Sequence, residues 1–205
     1  VGVLPYGLII VAYLFGCFIT GYYLYRIRTG KDIRTMGSRN PGARNVSRYL
    51  GKPGFILTLL GDMLKGVLAV TPAIWLNINE FWVIICGLAA VLGHLWPFQL
   101  GFKGGKGIAV YLGVILTING WLAFYLVGLF IIIWLWLRRF TISGLLTISV
   151  LPLVLIVQQH SWVMCVGLLL MAALLLYAHR TNLRKDKSGV SEEEEDEQSN
   201  NIPYI

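Results

Sequence analysis

The sequence predicts an all-α, polytopic membrane helix bundle of about seven spans, some of them short. Three observations carry this. Of 205 residues, 57% are apolar and only 13% charged, which is far from the balance of a soluble domain. Apolar runs recur at roughly 3–25, 54–76, 81–98, 108–118, 121–137, 141–157 and 161–178. The breaks between them alternate between rich in Lys/Arg and bare of both.

That alternation sets the orientation. Fifteen of the 17 Lys/Arg fall in four clusters: 26–48, Lys103/Lys106, Arg138/Arg139 and Arg180 through Lys187. Breaks 77–80, 119–120 and 158–160 hold none. The positive-inside rule places every basic loop in the cytoplasm, the N-terminus outside and the C-terminus inside. The net charge of +7 is thus that of a membrane protein's inner face, and no nucleic-acid partner is expected. The first run has no basic segment before it, which argues against a cleaved signal peptide.

Taken in order, the first run should be one span. Segment 26–52 is a basic loop in which Asn40-Pro41 reads as a cap and first-turn proline, with Gly51 as the stop. A helix over 41–50 would put Ala43, Val46 and Leu50 on one face and Arg44, Asn45 and Arg48 on another. Inside the second run, Asp62 and Lys65 stand i, i+3, a spacing expected of an internal ion pair. Pro97 ends the third run, and His94, one turn earlier, reads as a structural hydrogen-bonding residue. Residues 108–137 must cross out and back in 30 residues, so they are either two short or tilted helices around Asn119-Gly120 or a hairpin that does not reach the far side. Cys17, Cys86 and Cys165 are scattered through apolar runs and read as buried, inert thiols. Residues 1–187 form one membrane-integral domain, while 188–205, with Ser191 to Gln198 almost wholly acidic, read as a disordered tail.

The chemistry concentrates in Gly101-Phe102-Lys103-Gly104-Gly105-Lys106-Gly107, between two apolar runs. Gly104, Gly105 and Gly107 allow backbone N–H groups to approach a ligand, Lys103 and Lys106 add charge, and the helix starting at Ile108 aims its N-terminus at the same point. That describes a phosphate site, although the loop alone also fits a basic loop at the membrane surface. It lacks the Gly-Lys-Ser/Thr of a nucleotide-binding loop. Two further constellations share the leaflet: Gly37 through Arg48, and His179-Arg180-Thr181-Asn182 at the last exit.

With these residues in place, the chain resembles the bacterial acyl-phosphate:glycerol-3-phosphate acyltransferase family over most of 5–185. Three motifs carry the resemblance: Gly37-Ser38-x-Asn40-Pro41-Gly42-Ala43-x-Asn45-Val46-x-Arg48; Gly93-His94-x-x-Pro97-Phe98 with Phe102 to Gly107; and His179-Arg180-x-Asn182. Asp62-x-x-Lys65-Gly66 adds to them. The resemblance implies transfer of a fatty acyl group from acyl phosphate to the 1-hydroxyl of sn-glycerol 3-phosphate, giving lysophosphatidic acid and phosphate, at the cytoplasmic face of a bacterial cell membrane. It implies no cofactor and no metal, and a monomer among membrane lipids. Arg48, Lys106 and His179 would hold glycerol phosphate, Ser38 and Asn182 would orient its hydroxyls, and Asn45, Lys103, Gly104, Gly105 and Gly107 would complete substrate binding. Either His179 or a substrate phosphate would take the hydroxyl proton. Arg39, Arg44 and Val110 depart from the family's usual Gly, Thr and Thr. No histidine has an aspartate five residues on, so the His-x4-Asp signature of thioester-dependent glycerolipid acyltransferases is absent. A transporter or channel for an organic phosphate is the alternative, but it would usually place binding groups near midplane, in repeated halves.

Overall fold

The structure, a computed structural model, describes residues 2–181. Every described element is helical: α1 (Leu4–Cys17), α2 (Thr20–Thr29), a 3-10 turn (Ile33–Thr35), α3 (Ala43–Trp75), α4 (Glu80–Leu95), a second 3-10 turn (Phe98–Leu100), α5 (Ile108–Ile118), α6 (Gly120–Leu137), α7 (Phe140–Val157) and α8 (Trp162–Ala178). Five stretches are long and apolar enough to cross a bilayer: Leu4–Thr29, Ala43–Trp75, Glu80–Leu100, Gly120–Leu137 and Phe140–Val157. Ile108–Ile118 and Trp162–Ala178 are shorter. At a 1.5 Å rise, α5 is about 16 Å long, roughly half a hydrocarbon core. The short member of the 108–137 hairpin is therefore α5.

Helix starts differ between the two ends of the bundle. At the ends bare of Lys/Arg, Asn79 accepts from Phe81 N–H at 2.9 Å, Asn119 from Trp121 N–H at 3.0 Å and Ser161 from Met164 N–H at 3.1 Å. These side chains satisfy first-turn donors of α4, α6 and α8. At the basic end, α3, α5 and α7 start from Gly42, Gly107 and Arg139 with no side-chain cap.

Two helix crossings rely on bare glycine. A Cβ on Gly16 of α1 would lie 2.2 Å from the Ala90 carbonyl oxygen of α4, and one on Gly93 the same distance from that of Tyr13. Gly66 of α3 and Gly113 of α5 likewise face Val110 O and Met63 O, at 2.4 and 2.0 Å. Without an apolar driving force between helices in lipid, such close backbone contact supplies the attraction. The core runs along these crossings through Ala69, Val70, Ala90, Val110 and Val114. By contrast α6 turns Phe124, Tyr125, Ile132 and Trp136 outward, as a lipid-facing helix should.

The first apolar run forms one span, Leu4–Thr29, interrupted by a break at Phe18-Ile19. One expectation needs correction. The helix expected over 41–50 starts at Ala43 behind Gly42, so neither Asn40 nor Pro41 plays its expected part. Pro41 is held outside the helix because its carbonyl oxygen packs against α2, 2.2 Å from where Gly21 would carry a Cβ. Gly51 does interrupt the helix, at φ 63° and ψ −162°, and the chain then resumes as the long part of α3.

Candidate active site

The basic end of the bundle opens into a cavity of about 840 Å³. Ser38, Asn45 and Arg48, Lys103 through Gly107, and His179 all line it, so the three sequence constellations meet at one place. Asn182 lies outside the described residues. The uncapped starts of α3, α5 and α7 border the same cavity through Ala43, Ile108 and Thr141. Three helix N-termini converging with Arg48 and Lys106 make a pronounced anion site, since each N-terminus carries about half a positive charge. Because α5 is 7 residues shorter than α6 (18 − 11), its start lies about 10 Å inside the level of the α6 end for comparable tilt. Phe55 and Leu59 of α3 also line the cavity.

Asn45 organises the first motif. It is buried, its Oδ1 accepts the Ser38 N–H at 3.1 Å, and its Nδ2 donates to Met36 O at 3.0 Å and Ile33 O at 3.5 Å. Arg48 Nη1 donates to the same Oδ1 at 3.5 Å. Asn45 thus folds the Ser38 loop over α3, with its own polar atoms already used. Gly37 turns at φ 50°, and a Cβ there would sit 2.5 Å from Asn45 Oδ1.

The glycine loop is built differently from the expected nest of free amides. Gly104 N–H donates to Leu95 O at 3.1 Å and Gly105 N–H to His94 O at 3.0 Å. Both amides are therefore engaged by the end of α4, and neither is offered to a ligand. These glycines are needed because the loop lies against α4: a Cβ on Gly104 would fall 2.0 Å from His94 O, and one on Gly105 2.2 Å from His94 Nε2. Gly107, at φ 87°, makes the left-handed turn that starts α5. Lys103 is exposed at the rim, and Lys106 is half-buried.

His179 is buried just past the end of α8, and its Nδ1 lies 2.8 Å from Leu175 O. A carbonyl can only accept, so Nδ1 carries the proton and Nε2 is left as an acceptor. Burial pushes the imidazole down to about 4, and the nearby Lys106 adds to the shift. At neutral pH the ring is uncharged. It can receive a hydroxyl proton but has no second N–H for a phosphate.

Charge alone could not single out Arg34, one of seven cations in its cluster. Its Nη1 donates to Leu100 O at 2.7 Å and Lys103 O at 3.3 Å, tying the first loop to the second. Asp32, whose Oδ2 lies 2.8 Å from Arg34 Nη2, orients it and is itself held below the usual carboxylate range by that hydrogen bond. The lone acid two residues before Arg34 was the available signal. Thr141 of α7 gave none; its Oγ1 accepts from Arg44 Nη1 at 3.4 Å, and both residues line the cavity.

Comparison with known proteins agrees with this geometry. The family described as Glycerol-3-phosphate acyltransferase matches residues 6–189. The chain belongs to that family. It is 41% identical to Glycerol-3-phosphate acyltransferase 1 of Desulfitobacterium hafniense, covering 90% of this chain and 91% of that one. Glycerol-3-phosphate acyltransferase 1 of Bacillus cereus is 40% identical, over 84% of this chain and 94% of its own. The structure is also similar to a crystal structure of PlsY, an integral membrane glycerol 3-phosphate acyltransferase, in its glycerol 3-phosphate form. The TM-score is 0.86 and the identity 33%, over 91% of this chain and 93% of that one. The lysophosphatidic acid form of PlsY gives 0.84 and 32% over the same shares. As an acyltransferase of this family, the chain is a multi-pass membrane enzyme of phospholipid synthesis.

Proposed function

We propose that the chain moves a fatty acyl group from acyl phosphate to the 1-hydroxyl of sn-glycerol 3-phosphate at the cytoplasmic face of a bacterial cell membrane. The observation carrying this reading is the one cavity where three uncapped helix N-termini meet Arg48 and Lys106. An acyl phosphate is a mixed anhydride with a good leaving group, so the protein's task is mainly to hold two phosphates together and stabilise the developing oxyanion. The resemblance implies Lys106 on the glycerol phosphate, but Lys106 directly precedes Gly107, the N-cap of α5. It is therefore assigned with the start of α5 to the donor phosphate, and Arg48 with the start of α3 takes the acceptor phosphate. His179 Nε2 accepts from a glycerol hydroxyl, a role suited to a neutral ring, and Ser38 helps to orient that substrate. The attacking hydroxyl oxygen forms the new C–O bond as the acyl carbon–phosphate oxygen bond breaks. The departing phosphate takes the hydroxyl proton, because an imidazole pushed down to about 4 is a weak base at neutral pH.

The polar groups gather at one end of the bundle, and that favours catalysis at a surface over passage through the membrane. Purified protein incubated with glycerol 3-phosphate and either acyl phosphate, acyl-CoA or acyl-carrier protein tests the reading. Lysophosphatidic acid should form with acyl phosphate alone, and inorganic phosphate should compete with it. Robust turnover with acyl-CoA, insensitive to phosphate, would overturn the donor assignment.

A further inference from the structure

Lys65 and His94 are buried and have no part in the scheme above. Lys65 has three N–H donors, and each has an acceptor: Phe18 O at 2.6 Å, Asp62 Oδ1 at 3.0 Å and His94 Nδ1 at 2.7 Å. Neutralising Asp62 would require only one of these. The other two lead to the break between α1 and α2 and to His94, and His94 lines the cavity.

Towards α1, Phe18 lies in the break between α1 and α2, where backbone groups lose their helical partners inside the bundle. Lys65 takes the Phe18 carbonyl, Asp62 Oδ1 accepts Thr20 N–H at 3.3 Å, and Gln99 Nε2 donates to Cys17 O at 2.5 Å. The pair therefore clamps the break. Towards the cavity, donation into His94 Nδ1 puts the ring proton on Nε2, and that edge of the imidazole is the seat of Gly105. The His94 carbonyl also holds the Gly105 amide at 3.0 Å. Gly105 directly precedes Lys106.

We infer that Lys65 is a positioning residue for the acyl donor: it locks His94, His94 seats Gly105, and the seated loop sets Lys106 and the start of α5 around the donor headgroup. The inference rests on the proposed division of the cavity, with the glycine loop on the donor side. It separates Lys65 from the acceptor phosphate, which is assigned to Arg48.

The test measures KM for donor and for glycerol 3-phosphate separately, with thermal stability in detergent, for Lys65→Met, His94→Asn, their double variant and the charge-balanced Asp62→Asn/Lys65→Met. The donor is whichever one the wild type turns over, so an error in donor identity shows in the wild type and not here. The expected result is a donor KM raised about tenfold with the glycerol 3-phosphate KM within about twofold. Adding Lys65→Met to His94→Asn should add less than about twofold more, because the two act in series. Equal rises in both KM values, additive effects, or lowered stability with the donor KM unchanged would each overturn the inference. If Lys65→Met does not fold, the charge-balanced variant and His94→Asn decide between the same outcomes through the donor-to-acceptor KM ratio.

Discussion

Asn45 Oδ1 receives the Ser38 backbone N–H at 3.1 Å, across a separation of seven residues. A single buried amide thus decides where the Ser38 side chain stands relative to Arg48. Replacing it with Ala would leave the Ser38 N–H and the Met36 and Ile33 carbonyls without that partner, at about 1–3 kcal/mol for a buried unsatisfied group. Asn45→Ala should lower melting temperature and cut kcat at least about tenfold. Asn45→Asp should not restore it, because a carboxylate cannot donate to two carbonyls. Wild-type kinetics in Asn45→Ala would show that the Ser38 loop holds itself.

Arg48→Ala and Lys106→Ala should each cost more than about tenfold in turnover while the protein remains folded in membranes. A lost charge-assisted contact is worth roughly 1.5–3 kcal/mol, or one to two decades of rate. Arg48 is assigned to the acceptor and Lys106 to the donor, so the two variants should differ in which substrate's KM rises. Near-normal activity in both would move the phosphates elsewhere.

Hydropathy made the later helices legible almost to the residue. Runs at 108–118, 121–137, 141–157 and 161–178 became Ile108–Ile118, Gly120–Leu137, Phe140–Val157 and Trp162–Ala178. Their ends are marked by charge, Asn-Gly or Gln-Gln-His, and a bilayer leaves polar groups few other places to go. The break at Phe18-Ile19 was not legible, since no charge, proline or glycine occupies either position. Its backbone groups are held by Lys65, Asp62 and Gln99, which lie 42 or more residues away along the chain. In the cavity, the Asp62–Lys65 pair and the structural role of His94 were readable from burial costs. The use of the Gly104 and Gly105 amides was not, because glycine looks the same whether it admits a ligand or another backbone.

Gly105→Ala and Gly101→Ala separate those two uses of glycine. Gly105 has no room, with His94 Nε2 2.2 Å from the new methyl. Gly101 has nothing within 4 Å, although its φ of 64° carries a modest strain for alanine. Gly105→Ala should raise the donor KM or abolish turnover, and Gly101→Ala should cost no more than roughly 1–2 kcal/mol of stability with kinetics close to normal. The reverse ranking in a donor titration would mean that the seat against His94 is dispensable.

His179 gives a pH signature whose sign is fixed. Its folded value of about 4 lies below the unfolded histidine value near 6.5, so the unfolded chain takes up a proton first as pH falls. Stability should therefore drop through the window from about 6.5 to 4 and then level off as the folded ring titrates. Asp32, held low by Arg34, acts only below that window: its contribution is present above the usual carboxylate value and is lost in stronger acid. Melting curves of His179→Gln should fall less steeply than wild type between those limits. Parallel curves would show that the ring is hydrated and not buried in the folded protein.

The last prediction concerns sidedness. Every cluster of Lys/Arg among the described residues borders the cavity end, from Arg26 to Arg48, Lys103 and Lys106, Arg138 and Arg139, and Arg180. Asn79, Asn119 and Ser161 start helices at the other end. The positive-inside rule then predicts that the whole cavity faces the cytoplasm. Single cysteines at Lys31 and Gln158, both exposed, sample the two ends. Cys17, Cys86 and Cys165 are buried and should give little background. In intact cells a membrane-impermeant maleimide should label Gln158→Cys and spare Lys31→Cys until the membrane is opened. Labelling of Lys31→Cys from outside would invert the topology and place the site on the wrong side for its acceptor.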